Sequence, residues 1–225
     1  IDQAEELERR IGQQLRHDGH VAPADQLVGE QDAPHAMHIG CARLLRRRQR
    51  DAPRARFQLP REQARRELGV AGDDVVILLP GTVCERKGQH DLAHALALLS
   101  QDAATRMRCF MVGDRASSYS IELHRLADAL PAAIRGRVTI VAETHEIARY
   151  YQAADVFVCT SRVESFPRVV LEAMAHGLPI VSTRVFGIAE QVGENVNALL
   201  YEPGDVAKLA ARRVKRNVVP GPVSA

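Results

Sequence analysis

The sequence predicts an α/β protein: a mostly parallel sheet with helices on both faces, preceded by an irregular, partly helical N-terminal segment. Three observations carry that prediction. From Val75 to Ala211 five apolar, largely β-branched runs, VVILLPG, MRCFMVG, RVTIVA, DVFVCT and PIVST, read as buried strands. Between them, DLAHALALL, SIELHRLADAL, EIARYYQAA and RVVLEAMAHG have the spacing of amphipathic helices. The strict alternation of the two kinds of segment requires crossovers, because each return to a parallel strand must pass over a face of the sheet. Such a Rossmann-like sheet binds its ligands beyond the carboxyl ends of the strands, so the loops after those strands are where chemistry is expected.

Taken in order, the elements divide the chain into 1–69, 70–213 and 214–225. In the first part AEELERRIGQQLR can form a helix, whereas Val21 to Arg61 mixes Pro, Gly, His and Asp with a basic run, RLLRRRQR, and has no sustained period. PREQARRELGV then reads as a helix stopped by Gly69, just ahead of the first strand. The region 70–213 holds the βα alternation, and 214–225 is a tail.

Composition excludes several classes. The 225 residues are 46% hydrophobic, enough for a real core. Thirty basic against 28 acidic side chains leave a net charge of +2, too small a field to predict nucleic-acid or membrane binding. No apolar run reaches the roughly twenty residues that span a bilayer, and IDQAEELERR is neither a signal peptide nor an initiator sequence. These features predict a soluble, cytoplasmic chain truncated at its N-terminus. Cys41, Cys84, Cys109 and Cys159 are scattered, with no C-x-x-C spacing, which fits a reducing compartment.

The first candidate loop is PGTVCERKGQHDL. Gly81 and Gly88 flank Arg86 and Lys87 ahead of a helix, and free N–H groups with two side-chain cations suit a diphosphate. The bland alternative is a glycine-containing turn with solvated charges. Lys87 is one of only three lysines in an arginine-rich chain. After the second strand, Gly113 permits close backbone approach and Asp114 reads as a cap or turn residue. After the third, Ala142 to His145 would border the same crevice, with His145 and Glu146 starting a helix.

The fourth strand leads into VESFPRVVLEAMAHGLPIVST. Ser161 and Arg162 are expected to end the strand, Glu164 to fall on the loop, Pro167 to open a helix, and Glu172 to lie more than one turn inside it. Glu164 has an ordinary explanation as a charge near a helix N-terminus. Glu172, flanked by Val169, Val170, Leu171, Ala173 and Met174, is expected to be at least half buried and so to need a partner. Two vicinal ribose hydroxyls would satisfy it, and so would a buried arginine.

These residues, with MVGD, YYQAADVFVCTSRVESFP, LEAMAHGLPIV, the following FGIAEQ and the closing GDVAKLA, resemble the C-terminal, donor-binding domain of retaining glycosyltransferases of the GT-B fold, family 4 type. The resemblance covers Val75 to Ala211, about three fifths of the chain. It implies that Lys87 binds the donor diphosphate and that Gly81 opens that loop. It implies that Glu164 faces the donor sugar and the reaction centre, and that Glu172 holds the nucleotide ribose. Ser165, Phe166 and Pro167 match a segment facing sugar or phosphate, with Ser in place of the more usual Gly, and Val169 matches a position lining the nucleotide pocket, as does Val170. The family's first-loop arginine is replaced by Thr82, and Arg86 is the available substitute.

The function so implied is transfer of a sugar, with retention, from a UDP- or GDP-sugar to a saccharide or lipid-linked acceptor in cell-surface polysaccharide or glycolipid synthesis. No cofactor and no metal is required. A second, N-terminal domain is expected to complete the cleft, since 1–69 is too short for it and lacks the N-G-[IV] hinge. Two other readings stay open: a catalytically inactive nucleotide-sugar-binding module, and a nucleotide-sugar epimerase of the same fold. Outside this frame, His17, His20, His35, His38 and Cys41 have spacings that invite a metal but no second well-spaced pair. Arg46 to Arg50 could touch anionic lipid at the inner face of the membrane, or form a solvated helix face.

Overall fold

The computed structural model of the protein describes residues 59–211. Six strands form one sheet: β1 (Val75–Pro80), β2 (Met107–Asp114), β3 (Val138–Ala142), β4 (Val156–Cys159), β5 (Ile180–Thr183) and β6 (Ala198–Tyr201). The order is β3-β2-β1-β4-β5-β6 and every neighbouring pair is parallel. The chain thus runs outward from β1 to β3 and then returns to place β4 on the other side of β1. The loops leaving β1 and β4 diverge toward opposite faces, and the crevice between them is the topological switch point.

Nine helices are described: α1 (Arg61–Glu67), α2 (Gln89–Ala97), α3 (Gln101–Ala104), α4 (Ser118–Asp128), α5 (Ala132–Arg135), α6 (Ile147–Ala153), α7 (Arg168–Ala175), α8 (Phe186–Gln191) and α9 (Val206–Ala211). Side chains of a strand point alternately to opposite faces, which splits the core in two. Val75, Ile77 and Leu79 pack with Leu96 of α2, Leu123 of α4 and Leu209 of α9. Val76 and Leu78 pack on the other face with Tyr151 of α6, Val170 of α7 and Ile188 of α8. All six β1 residues are buried, so the sequence carries no polar residue there.

Three differences from expectation concern strands, and the first is burial: RVTIVA, expected to be a buried strand, forms the edge strand β3, half-buried from Val138 to Val141 and exposed at Ala142, because only β2 pairs with it. A sixth strand, β6, extends the sheet beside β5, with Ile180 to Thr183 in register with Ala198 to Tyr201. Its four residues, ALLY, are too short for a period, and it is the edge of β5 that makes them a strand. The fourth strand, by contrast, ends at Cys159, ahead of Ser161 and Arg162. From Thr160 onward the chain bonds to the β1 loop instead: Thr160 Oγ1 donates to the Lys87 carbonyl at 2.7 Å, and the Arg162 N–H to the Arg86 carbonyl at 2.8 Å.

The helix of PREQARRELGV forms as α1, and Gly69 follows it at φ +63°. It packs against α6. Arg65, 3% exposed, donates to Asp155 at 3.1 Å and to the Asp74 carbonyl at 2.6 Å, while Arg61 reaches the other Asp155 oxygen at 2.5 Å. Asp155 also accepts from the Val76 N–H of β1 at 2.9 Å, which ties α1 to the sheet centre. Cys84, Cys109 and Cys159 are free, and burial pushes the Cys109 thiol up to about 12. Among the described residues no helix is long and apolar enough to cross a membrane. AEELERRIGQQLR, the His17 to Cys41 group and the Arg46 to Arg50 run lie outside them.

Candidate functional site

The β1 loop is a short turn folded onto its own strand. Gly81 continues the ladder, its N–H donating to Val112 at 2.8 Å, and a 3₁₀ turn at Glu85–Lys87 follows. Buried Gln89 staples the turn: its amide nitrogen donates to the Thr82 carbonyl at 3.1 Å and its oxygen accepts from the Cys84 N–H at 3.3 Å. Gly88 then turns the chain into α2 at φ +64°, and a Cβ there would lie 2.4 Å from the Thr160 carbonyl oxygen. Only glycine fits both the left-handed backbone and that approach of the β4 loop.

The β4 loop meets this turn with charge. Glu164, 7% exposed, accepts from the Lys87 ammonium and from Ser161 Oγ at 2.8 Å, and the Arg86 guanidinium lies 3.3 Å from the same oxygen. Arg86 also donates to the Val163 carbonyl at 3.1 Å, so its side chain turns toward this cluster. Burial alone would raise the Glu164 pKa; the Lys87 and Ser161 hydrogen bonds and the two cations outweigh it and hold the carboxyl below its ordinary value. Behind them Arg162 grips Asp91, near the start of α2, with two bonds of 3.0 and 3.2 Å.

From Glu164 the chain passes over α8 into α7. Gly187 N–H donates to the Glu164 carbonyl at 3.3 Å, and a Cβ on Gly187 would lie 1.5 Å from the Ser165 carbonyl oxygen. Ser165 and Phe166 are exposed, Pro167 caps α7 and is buried, Val169 is half-buried and Val170 is fully buried.

Glu172 corrects an expectation. It is exposed rather than at least half buried, because Val170 and Ala173 form the inward stripe of α7 and the step of about 100° per residue turns Glu172 away from that stripe. Nor is its partner an arginine: the Tyr151 hydroxyl of α6 donates to Glu172 Oε2 at 2.8 Å. Asp114, expected as a cap or turn residue, instead ends β2: it accepts from Ser120 Oγ at 2.6 Å and pairs with His124, while Ser117 caps α4. Glu146 is the N-cap residue of α6. Among the described residues no group of three or more His, Cys, Asp or Glu side chains could hold a metal ion.

The structure therefore brings Gly81, Arg86, Lys87 and Glu164 together at the switch point, and places Ser165, Phe166, Pro167, Val169 and Glu172 along the loop and helix beyond. Sequence reasoning missed Asp91, Ser161, Tyr151 and Gly187. Ser161 stands three residues before Glu164, a signal that could have been used; the second tyrosine of RYYQ reads as core.

A 3-2-1-4-5-6 parallel sheet with a basic turn and a buried carboxylate facing each other at its switch point defines a Rossmann-like α/β domain of the GT-B kind. The chain belongs to the family described as glycosyl transferases group 1, which it matches over residues 60–215. It is 38% identical over 158 residues to a D-inositol 3-phosphate glycosyltransferase of Geodermatophilus obscurus, a match covering 67% of this chain and 35% of that protein. It is 33% identical over 165 residues to the spore coat protein SA of Bacillus subtilis, covering 70% and 42%. Among solved structures it is similar to Anabaena HepE in complex with UDP and glucose: TM-score 0.60, 32% identity, 67% of this chain and 40% of that one. The chain thus spans less than half the length of these relatives.

Proposed function

We propose that residues 70–213, with α1 packed on them, form the donor-binding domain of a retaining glycosyltransferase of the family 4 type. The domain takes a UDP- or GDP-sugar and, with a second domain completing the cleft, transfers the sugar to a saccharide or lipid-linked acceptor in cell-surface polysaccharide or glycolipid synthesis. The observation that carries this is the meeting of Lys87, Arg86 and Glu164 where the β1 and β4 loops diverge. The family match and the UDP found with HepE support the donor class. That the relatives are matched over about two fifths of their length or less supports a second domain.

In this reading Lys87 and Arg86 neutralise the charge that develops on the departing diphosphate. Preorganised cations stabilise such a leaving group without a metal and without reorganising during the reaction. Glu164 faces the sugar. Held by Lys87 and Ser161, it stays ionised and fixed, and can accept from a sugar hydroxyl or stabilise positive charge at the anomeric carbon. Attack from the face the leaving group vacates accounts for retention. Glu172 accepts from the ribose hydroxyls, and Ser165, Phe166, Pro167 and Val169 line the path between.

Calorimetric titration with UDP, GDP, ADP and their sugars tests the assignment. The parent is expected to bind one base class, and Lys87→Ala to weaken it by roughly ten- to a hundredfold through loss of a charge-assisted contact. Equal binding by parent, Lys87→Ala and Glu172→Ala, or no binding by the parent, would overturn it.

A further inference from the structure

We infer that Tyr151 is a positioning residue for the nucleotide: its hydroxyl holds the Glu172 carboxylate so that the carboxylate's free lone pairs meet the two hydroxyls of the ribose. This rests on the reading of Glu172 given above and adds a residue that acts through it.

Tyr151 is 2% exposed, on α6. Its ring is stacked near Phe157 of β4, centroids 6.4 Å apart and planes 13° from parallel, and near His176 at the end of α7, at 5.1 Å and 18°. The core therefore fixes where the hydroxyl points. It points to Glu172 Oε2 at 2.8 Å, with a longer approach to the Val169 carbonyl at 3.4 Å.

A phenol has one proton to donate, and the shorter contact takes it. Burial first, then the Glu172 charge and the hydrogen bond, push the Tyr151 pKa well above its ordinary value. It stays a donor at every working pH. Glu172, by contrast, is exposed on its helix and long enough to sample many rotamers. Fixing such a side chain only when the ligand arrives costs affinity, whereas a hydroxyl that has already fixed it removes that cost. With its one proton on Oε2, Tyr151 leaves Oε1 and the outer lone pair of Oε2 side by side, the arrangement a vicinal diol needs.

The bond also links α6 to α7, so a purely structural role must be told apart. Tyr151→Phe keeps the ring and its stacking, and far-ultraviolet circular dichroism checks the fold. The probes are whichever of UDP and GDP the parent binds more tightly and its 2′-deoxy counterpart. We expect Tyr151→Phe to weaken the ribonucleotide by roughly three- to tenfold, to leave the 2′-deoxynucleotide within about twofold, and to have no further effect in a Glu172→Ala background. Equal weakening of both nucleotides, or an undiminished effect without Glu172, would overturn the inference while leaving the donor site standing. A parent that binds no nucleoside diphosphate would overturn both.

Discussion

Glu164 and Glu172 are eight positions apart and are kept in place by different chemistry. Glu164 is buried among cations, with Lys87 and Arg86 brought from a loop 77 and 78 positions earlier; exposed Glu172 leans on one neutral hydroxyl. Both acids and the cations Lys87 and Arg86 were legible in the sequence, but their pairing was not, nor was Tyr151 as a partner, because long-range pairing leaves no local pattern. The depressed pKa of Glu164 gives a testable sign. A carboxyl whose folded pKa lies below its unfolded one stabilises the fold fully above the unfolded value, near 4.5, and loses that contribution as pH falls through the folded value. Glu164→Gln removes the charge and leaves Lys87 without its counterion, so urea midpoints should show the variant less stable at neutral pH by about 1–3 kcal/mol. The gap should narrow below pH 4.5. A gap that is constant down to pH 3 would mean that the ion pair contributes nothing.

At the scale of elements, the loop bearing Glu164 is held by the start of α8 as well as by Lys87. The Gly187 backbone lies so close to the Ser165 carbonyl that a Cβ would sit 1.5 Å from its oxygen, and backbone cannot swing aside as a side-chain tip can. Gly187→Ala is therefore expected to cost about 1–3 kcal/mol by overpacking and to weaken nucleotide binding by shifting the loop. Gly136→Ala is the control: nothing lies within 4 Å of a Cβ there, and its midpoint should stay within about 0.5 kcal/mol of the parent. A Gly187→Ala protein as stable as that control would remove α8 from the account of the site. Strands β1, β2, β4 and β5 were readable because burial on both faces demands continuous apolar runs, and the half-buried edge strand β3 because its run is β-branched. Strand β6 was not, since ALLY becomes a strand only by pairing with β5, and the order of strands comes from packing that no single run encodes.

At the scale of the molecule, α1 matters because it carries two arginines onto one buried aspartate. The sequence reading put the helix before residue 70, outside the alternating region, since RELGV looks like a lead-in; its use is visible only once Asp155, about ninety positions later, lies under it. Asp155 has no exposed side chain and accepts from Arg61, Arg65 and the Val76 N–H of β1. Removing one side of a buried ion pair leaves a stranded charge and costs about 3–5 kcal/mol. A chain of residues 70–211 should therefore melt well below one of residues 59–211, by more than the loss of buried Ala64 explains. Asp155→Asn decides whether the charge is the cause. In 59–211 it discards the attraction for two guanidiniums and should destabilise. In 70–211 it removes an unpaired charge while the amide oxygen still accepts from Val76, and should stabilise. A substitution that lowers stability equally in both chains would mean that α1 contributes apolar packing alone and that the fold can begin at residue 70.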